Sequence, residues 1–129
     1  MNYNMPYFFI GIDIGSVSAN TVVVNLDKEI LEEHYTRTKG QPLETARDVL
    51  ADVLSRYPIE TIRVVAATGT GGKTIAPLIG AYFTNEVIAQ SKATEYFHPD
   101  VRTVIEMGGE DAKLILLVPE GKGQGAGGK

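Results

Sequence analysis

Two short glycine turns, each placed after an apolar run and each carrying an acid, constrain this chain most. The first reads Gly-Ile-Asp-Ile-Gly-Ser at residues 11–16, and the second reads Glu-Met-Gly-Gly-Glu-Asp at residues 106–111. A further apolar run follows each turn, which is the pattern of a β-hairpin with a glycine-rich bend. Glycine lets backbone N–H groups approach an anion, and it accepts the positive φ that tight bends often need. A carboxylate beside a polyphosphate is unfavourable unless a hard cation such as Mg²⁺ lies between them. The order of strand, acid, glycine and hydroxyl therefore predicts a site for a metal-bound nucleotide.

The composition fits one α/β domain and argues against several kinds of site. The chain has 129 residues, of which 43% are hydrophobic, and a net charge of −4. A surface for nucleic acid would concentrate lysine and arginine, so we expect no nucleic-acid partner. Cysteine is absent, so these residues offer no thiolate for a disulfide, a zinc site or an iron–sulfur cluster. The polar start predicts no signal peptide, and no apolar run approaches the roughly 20 residues of a membrane span. We expect a cytoplasmic protein without a membrane partner.

The spacing of apolar residues predicts alternating strands and helices. The most regular helical spacing covers residues 42–57, which begin with a proline suited to a first helical turn and are followed by another proline. A glycine loop and a short apolar stretch lead to a second predicted helix over residues 84–97. Short links make the first three strands an antiparallel meander, and the six predicted strands cover residues 7–14, 19–26, 30–38, 62–67, 101–107 and 112–118.

This order of elements predicts an α/β fold with a mixed sheet. Three meandering strands followed by helix, strand, helix and strand are the order of a ribonuclease-H-like lobe, in which helical crossovers add parallel strands to a hairpin sheet. We assign residues 1–99 to this lobe and its last helix, and residues 100–118 to the opening hairpin of a second lobe. The glycine-rich residues 119–129 are predicted to be a flexible tail. The strand at 101–107 is expected to lie beside the strand at 62–66, or else to expose an aggregation-prone edge.

At these residues the sequence resembles the BadF/BadG/BcrA/BcrD type of ATPase, a family of ATP-dependent activators of 2-hydroxyacyl-CoA dehydratases and benzoyl-CoA reductases. The similarity runs from about residue 9 to residue 118. Residues 11–16 and 106–113 resemble the two phosphate motifs of the family, residues 67–73 resemble its glycine loop, and residues 84–98 match its inter-lobe helix. The form Glu-Met-Gly-Gly-Glu-Asp is most similar to that of the large multidomain members.

The resemblance implies the actin-like ATPase fold of sugar kinases, chaperones and actin, with two lobes around ATP and Mg²⁺. It also implies a homodimer or pseudo-dimer that shares a four-iron, four-sulfur (4Fe-4S) cluster and passes single electrons to a dehydratase or reductase of CoA esters. This sequence departs from the family in three ways. It has no cysteine and so cannot hold the cluster; Asn20 stands near where many smaller activators have a lysine; and Glu106 replaces the commoner aspartate.

The resemblance, together with the charges, suggests roles for the first motif. Asp13 would hold Mg²⁺ directly or through water. The backbone at Gly15, Ser16 and Val17 would bind the phosphates. The hydroxyls of Ser16 and Ser18 would add further phosphate contacts. These residues would mainly position the ATP or ADP.

The second motif would complete the catalytic site. Glu106 or Asp111 would polarise the attacking water or complete the metal shell. The backbone of Gly108 and Gly109 would cradle the γ-phosphate, and Glu110 belongs to the same nucleotide-binding turn. Two motifs that hold one polyphosphate would make closure of the lobes depend on that phosphate, so that its loss would let them open.

Two alternatives remain open from the sequence. Residues 67–74, Ala-Thr-Gly-Thr-Gly-Gly-Lys-Thr, fit the loose form of a P-loop with alanine in place of its first glycine. Two features argue against a P-loop. Three strands precede this motif, and Pro77 falls inside the stretch that would have to form the long helix after a P-loop. Alternatively, the chain is a non-catalytic nucleotide-binding or regulatory fragment, since one lobe offers only half of a cleft.

Overall fold

The computed structural model describes residues 6–108 and 112–118. The chain forms two compact units, Met1–Asn85 and Glu86–Lys129. In its described residues the first unit has one mixed sheet with two helices, and a short 3₁₀ turn at Ile59–Thr61 precedes the fourth strand. Its elements are β1 (Phe8–Ile14), β2 (Ser18–Asn25), β3 (Ile30–Arg37), α1 (Pro42–Leu54), β4 (Ile62–Thr68), α2 (Gly69–Ile79) and β5 (Tyr82–Phe83).

The sheet of the first unit has the strand order β3-β2-β1-β4-β5. β1, β2 and β3 are antiparallel neighbours, which confirms the predicted meander. β4 lies parallel to β1, and β5 lies parallel to β4. The α/β class and the mixed sheet are therefore as predicted, and the bounds of the first four strands fall within one residue of the predicted ones. The carboxyl ends of β1 and β4 meet at one edge of the sheet.

Both helices cover the same face of the sheet. Alternate residues of β1 point to this face, and Ile10, Ile12 and Ile14 are at most 2% exposed. Ile12 and Ile14 share one buried cluster with Ala46 of α1 and Ile75 of α2. Each buried isoleucine stabilises the fold by about 1.5–3 kcal/mol relative to an exposed one. Packing in this core sets the position of both helices along β1.

The first helix ends at Leu54 rather than at residue 57 as predicted. Beyond it the chain closes in a mixed turn, because the N–H of Arg56, three residues on, and the N–H of Tyr57, four residues on, both bond to the carbonyl of Val53 at 3.0 Å. Bonds between residues three apart are typical of a helix that ends in a 3₁₀ turn. The apolar spacing that continues past Leu54 therefore overstates the length of the helix.

The glycine loop predicted after the fourth strand is wrong, because Gly69–Ile79 form a helix, α2, that begins directly after β4. Pro77 lies inside α2, and its missing N–H removes only one hydrogen bond near the end of a short helix. Gly80, with a φ of 70°, ends the helix. The N–H of Ala81 then bonds to the carbonyl of Ala76 at 2.9 Å, as in a Schellman motif.

The described part of the second unit contains a helix and a hairpin. These are α3 (Glu86–Phe97), β6 (Thr103–Met107) and β7 (Ala112–Leu116), and the two strands pair as an antiparallel two-stranded sheet. The expectation that β6 lies beside β4 is wrong, since the neighbours of β4 are β1 and β5. The outer edge of β6 is unpaired within the described residues, and its aggregation stays a prediction. None of the described helices is long and apolar enough to cross a bilayer.

Candidate functional site

Asp13 lies one residue before the end of β1, between two neighbouring strands. Its register partners are Asn20 on β2 and Thr68 on β4. Side chains alternate along a strand, so Asp13 faces away from Ile12 and Ile14 and from the parts of α1 and α2 that cover them. The residue is half-buried. The structure thus places the predicted metal-binding carboxylate at the edge where the carboxyl ends of β1 and β4 meet.

The beginning of α2 lies directly against Asp13. Gly69 has a φ of 87°, and a Cβ added to it would lie 2.7 Å from Asp13 Oδ1 and 2.4 Å from the carbonyl oxygen of Ile14. Only a glycine permits this close approach and this backbone conformation together. The first N–H groups of a helix carry a partial positive charge that stabilises a nearby anion. The carboxylate of Asp13 therefore lies at the electropositive end of α2.

Thr68, the last residue of β4, leaves a buried polar atom beside this carboxylate. Its Oγ1 is buried and has no hydrogen-bond partner among the residues that the structure describes. Thr68 also occupies the N-cap position of α2 without making a capping hydrogen bond from its side chain. An unsatisfied buried hydroxyl costs about 1–3 kcal/mol. A polar ligand atom bound next to Asp13 would relieve that cost.

Hydrogen bonds within the turn between β1 and β2, and from Thr38, fix the conformation of that turn. The N–H of Gly15 donates to the carbonyl of Ser18 at 2.9 Å. Thr38, which follows β3, donates its hydroxyl to the carbonyl of Ser16 at 2.7 Å and its N–H to the carbonyl of Val17 at 2.9 Å. The N–H of Gly15 therefore closes the turn and is not available to a phosphate. The N–H groups of Ser16 and Val17 are the candidate donors to a phosphate.

Sequence reasoning missed Thr38. It is only 2% exposed, and it precedes Lys39 and Gly40, which both have positive φ. A threonine before a lysine and a glycine indicates a turn after the strand. Nothing in that pattern shows that its hydroxyl reaches a turn 22 residues earlier.

An ion-pair network fixes β3, and hence Thr38, against α1. Glu32 of β3 accepts hydrogen bonds of 2.9 Å and 2.8 Å from Nε and Nη2 of Arg56, which follows α1. His34 Nε2 lies 2.8 Å from Glu32 Oε1, and Arg56 also donates to Asp52 at 2.9 Å. The Arg56 guanidinium, followed by His34, lowers the pKa of Glu32 from 4.5 to about 2. This network lies on the face of the sheet that α1 covers, opposite the face to which Asp13 points.

The first motif has the donors that a Mg²⁺ ion bound with phosphates requires. Among the described residues no group of three or more histidine, cysteine, aspartate or glutamate side chains is placed to hold a metal. Mg²⁺ is commonly held by one or two carboxylates, with phosphate oxygens and water completing its shell. The single carboxylate of Asp13 and the unsatisfied hydroxyl of Thr68 fit that type of site. A metal held by protein side chains alone does not fit.

Glu106, the predicted acid of the second motif, lies on β6 directly opposite Lys113 on β7. Its Oε1 is buried without a hydrogen-bond partner among the described residues and lies 3.6 Å from Lys113 Nζ. The same ammonium is 3.9 Å from Glu86 Oε1 at the start of α3. Two carboxylates thus share one lysine, which the sequence reasoning overlooked. Gly108 is described and exposed, whereas Gly109, Glu110 and Asp111 lie outside the described residues.

The profile of the BadF/BadG/BcrA/BcrD ATPase family matches residues 10–129. The chain belongs to this family. Among the curated relatives, the (R)-2-hydroxyglutaryl-CoA dehydratase activating ATPase of Acidaminococcus fermentans is 27% identical over 86% of this chain and 43% of its own length. The activator of lactoyl-CoA dehydratase of Anaerotignum propionicum is 29% identical over 88% of this chain and 44% of its own length. The chain thus spans less than half the length of these relatives.

Two solved structures share the fold of this family member. Component A of the A. fermentans (R)-2-hydroxyglutaryl-CoA dehydratase superposes with a TM-score of 0.77, at 24% identity over 87% of this chain and 43% of that chain. The activator of the 2-hydroxyisocaproyl-CoA dehydratase from Clostridium difficile, with bound ADPNP, gives 0.71, at 24% identity over 86% of this chain and 41% of that chain. The predicted actin-like ATPase fold is therefore confirmed.

The glycines of residues 67–74 serve a packing role in this BadF/BadG/BcrA/BcrD family member, and the P-loop alternative does not fit the structure. A P-loop surrounds phosphate with a loop between strand and helix, whereas here β4 ends at Thr68 and α2 begins at Gly69. A Cβ on Gly71 would lie 2.4 Å from Ile14 Cγ2. These glycines bring the helix close to the end of β1. Lys73 lies in α2 and is exposed.

Proposed function

We propose that this member of the family binds ATP with Mg²⁺ through Asp13 and the turn between β1 and β2. It would serve as one lobe of an activator that couples ATP hydrolysis to single-electron transfer into a dehydratase or reductase of CoA esters. Family membership supports the ATPase assignment. Two relatives are named as activators of CoA-ester dehydratases, and one structural neighbour holds ADPNP. A homodimer and the family's iron–sulfur cluster belong to this proposal for the whole protein, and the present residues would contribute no cluster ligand.

The observation that carries the proposal is the position of Asp13. A carboxylate lies at the carboxyl ends of two parallel strands, beside the N-terminus of α2 and next to the unsatisfied Oγ1 of Thr68. In α/β sheets, ligands bind outside the carboxyl ends of parallel strands. An anion such as phosphate gains from helix N–H groups, and a carboxylate at the same place requires a cation beside it. The combination favours a metal-bound phosphate over either an anion or a metal alone.

Each residue of the first motif would then have a defined task. Asp13 would hold Mg²⁺, and the N–H groups of Ser16 and Val17 would donate to phosphate oxygens. Asn20 Nδ2 donates to Ser18 Oγ at 3.4 Å, which leaves the hydroxyl hydrogen of Ser18 to donate to phosphate. Gly15 would shape the turn that presents these donors. When bound, Mg²⁺ would neutralise part of the phosphate charge and orient the phosphoryl group.

The second motif would supply the groups that act on the terminal phosphate. Glu106 or Asp111 would accept a hydrogen bond from the attacking water and take its proton. The backbone of Gly108 and Gly109, with Glu110 in the same turn, would surround the γ-phosphate. Lys113 lies 3.6 Å from Glu106 Oε1 and would hold that carboxylate in position. A positioned carboxylate is the kind of group that serves as a general base.

NMR spectroscopy of the 129-residue chain tests where the nucleotide binds. Addition of ATP with Mg²⁺ should shift the backbone amide signals of Ser16, Val17 and Gly69. The amides of Asp27 and Lys28 in the distant turn between β2 and β3 should not move, and they serve as the control. Shifts confined to residues outside the first motif, or the absence of any shift, would contradict the proposal.

A further inference from the structure

We propose that Arg37, at the end of β3, supplies the guanidinium that contacts the phosphates of the bound nucleotide. This inference rests on the proposed function and adds one residue to that site. From Gly11 to Asn25 the first hairpin contains no lysine or arginine. Its one acid, Asp13, adds a negative charge beside a polyphosphate. Mg²⁺ offsets only part of that charge, so a cation from outside the hairpin would stabilise the bound phosphates further.

The register of the sheet puts Arg37 on the same face as Asp13. Arg37 is the register partner of Ser18, and Tyr35 is the partner of Asn20. Asn20 in turn is the partner of Asp13. Partners across a sheet share a face, so these five residues lie on one surface at the same end of the sheet.

The burial pattern of β3 supports this orientation. Glu32 is on the face covered by α1, because it accepts hydrogen bonds from Arg56 after that helix. Alternation then places Arg37 on the opposite face. Arg37 and Tyr35 are both exposed, whereas Glu32 is half-buried. Arg37 is therefore open to solvent on the face where Asp13 lies.

Arg37 can reach the hydroxyl and amide groups that would bind phosphate. Directly opposed side chains in an antiparallel pair have Cβ atoms about 4.5–5.5 Å apart, and diagonal neighbours about 7–8 Å apart remain within reach of long side chains. Ser18 is the direct neighbour of Arg37, and Asn20 is a diagonal neighbour. A guanidinium extended toward Asn20 would lie over Ser18, whose hydroxyl is proposed to donate to the same phosphate.

The guanidinium of Arg37 has no charged partner among the described residues. Its side chain forms no ion pair or hydrogen bond with any described residue. The other arginines of the first unit have partners: Arg47 pairs with Asp48, Arg63 lies over the ring of Tyr7, and Arg56 binds two acids. A guanidinium presents a planar fork of donors that binds two phosphate oxygens at once. An arginine in this position is therefore suited to a polyphosphate ligand.

Calorimetry with Mg²⁺ and ATP, and with inorganic tripolyphosphate as a second probe, tests Arg37. Arg37→Gln should weaken binding of both probes by about tenfold or more, and Arg37→Lys should recover part of the loss. The matched control is Arg47→Gln, which removes the same charge from an exposed arginine on α1 and should change affinity less than about twofold. Thermal unfolding should be the same in all variants, because Arg37 is exposed and makes no contact that stabilises the fold.

The outcomes separate this inference from the proposed function. If Arg37→Gln binds both probes as the Arg47→Gln control does, while Asp13→Asn loses nucleotide, the role of Arg37 is wrong and the nucleotide site stands. If Arg37→Gln weakens ATP but leaves tripolyphosphate unchanged, contact with the phosphates is also refuted. If the parent chain binds neither probe, the proposed function and this inference both fail.

Discussion

Thr38 Oγ1 donates a hydrogen bond of 2.7 Å to the carbonyl oxygen of Ser16, across 22 positions of the sequence. The N–H of Thr38 adds a second bond, to the carbonyl of Val17 at 2.9 Å. Both carbonyls of the turn thus point toward the end of β3. In a trans peptide the N–H of the following residue points the opposite way from the carbonyl, so the N–H of Val17 points away from Thr38. A residue outside the motif therefore sets the conformation of the predicted phosphate-binding turn.

Replacing Thr38 by valine should loosen this turn. Thr38→Val keeps the shape of the side chain but loses the hydrogen bond to Ser16, so we expect about 1 kcal/mol less stability and weaker nucleotide binding. Thr38→Ser keeps the hydroxyl and is the matched control. Urea unfolding measures the first effect, and calorimetry with ATP measures the second. Equal affinity in the valine and serine variants would contradict the positioning role.

Two adjacent glycines of α2 should respond differently to replacement by alanine. A Cβ on Gly71 would lie 2.4 Å from Ile14 Cγ2, whereas the nearest atom to a Cβ on Gly72 would be 3.4 Å away. Overpacking costs typically about 1–3 kcal/mol, so Gly71→Ala should destabilise the protein. Gly72→Ala should be neutral or stabilising, because alanine favours a helix by up to about 1 kcal/mol over glycine. Thermal unfolding of the pair checks this, and equal effects would argue against close packing at Gly71.

Lys73 separates the two nucleotide-binding modes that the sequence allowed. A P-loop lysine contacts phosphate directly, so its loss would abolish binding. Lys73 lies in α2 and is exposed. We expect Lys73→Ala to change the affinity for ATP by no more than about threefold, a small effect from one exposed, solvent-screened charge. Loss of binding in this variant, measured by equilibrium dialysis, would restore the P-loop interpretation.

The Glu32 network should make stability depend on pH in the acidic range. The pKa of Glu32 falls from 4.5 to about 2 in the folded protein, mainly because Arg56 donates to its carboxylate. The ionised carboxylate therefore stabilises the fold fully above pH 4.5, and this contribution is lost as the pH falls toward 2. At pH 7 Glu32→Gln should cost on the order of 2 kcal/mol, since hydrogen bonds to charged groups are worth about 1.5–3 kcal/mol.

Urea unfolding at several pH values tests the role of Glu32. The difference between the parent and Glu32→Gln should shrink as the pH falls below 4.5. Glu33→Gln is the control, because Glu33 is exposed and lies on the opposite face of β3. A constant difference between the parent and Glu32→Gln from pH 7 to pH 2.5 would refute the assignment.

The sequence predicted much of the fold because its signals were local. Alternating β-branched residues and short links defined β1 to β3, and helical spacing defined α1. α2 was missed because glycine and proline lower helix propensity, and here tight packing of Gly71 against Ile14 outweighs that preference. The pairing of β4 with β5 was missed because β5 has only two residues, Tyr82–Phe83, too few for a periodic signal.

The candidate site was only partly predictable for a similar reason. Asp13 and the turn after it stand in one contiguous motif, so their proximity followed from the sequence. Thr38 and Thr68 come from other elements; the pairing of β4 with β1 brings Thr68 to the first motif, and a hydrogen bond after β3 brings Thr38 there. No spacing in the sequence encodes that register across elements. The ion pair between Lys113 and Glu106 depends on cross-strand pairing in the same way.

The most direct measurement is calorimetry of ATP binding, with and without Mg²⁺, on the parent chain and on Asp13→Asn. Asp48→Asn, which removes an exposed carboxylate on α1, is the control. We predict that the parent and the control bind ATP in the presence of Mg²⁺, and that Asp13→Asn loses at least about tenfold in affinity. Binding should also weaken when Mg²⁺ is removed. Equal, Mg²⁺-independent binding by all three proteins, or no binding by the parent, would contradict a metal-bound nucleotide at Asp13.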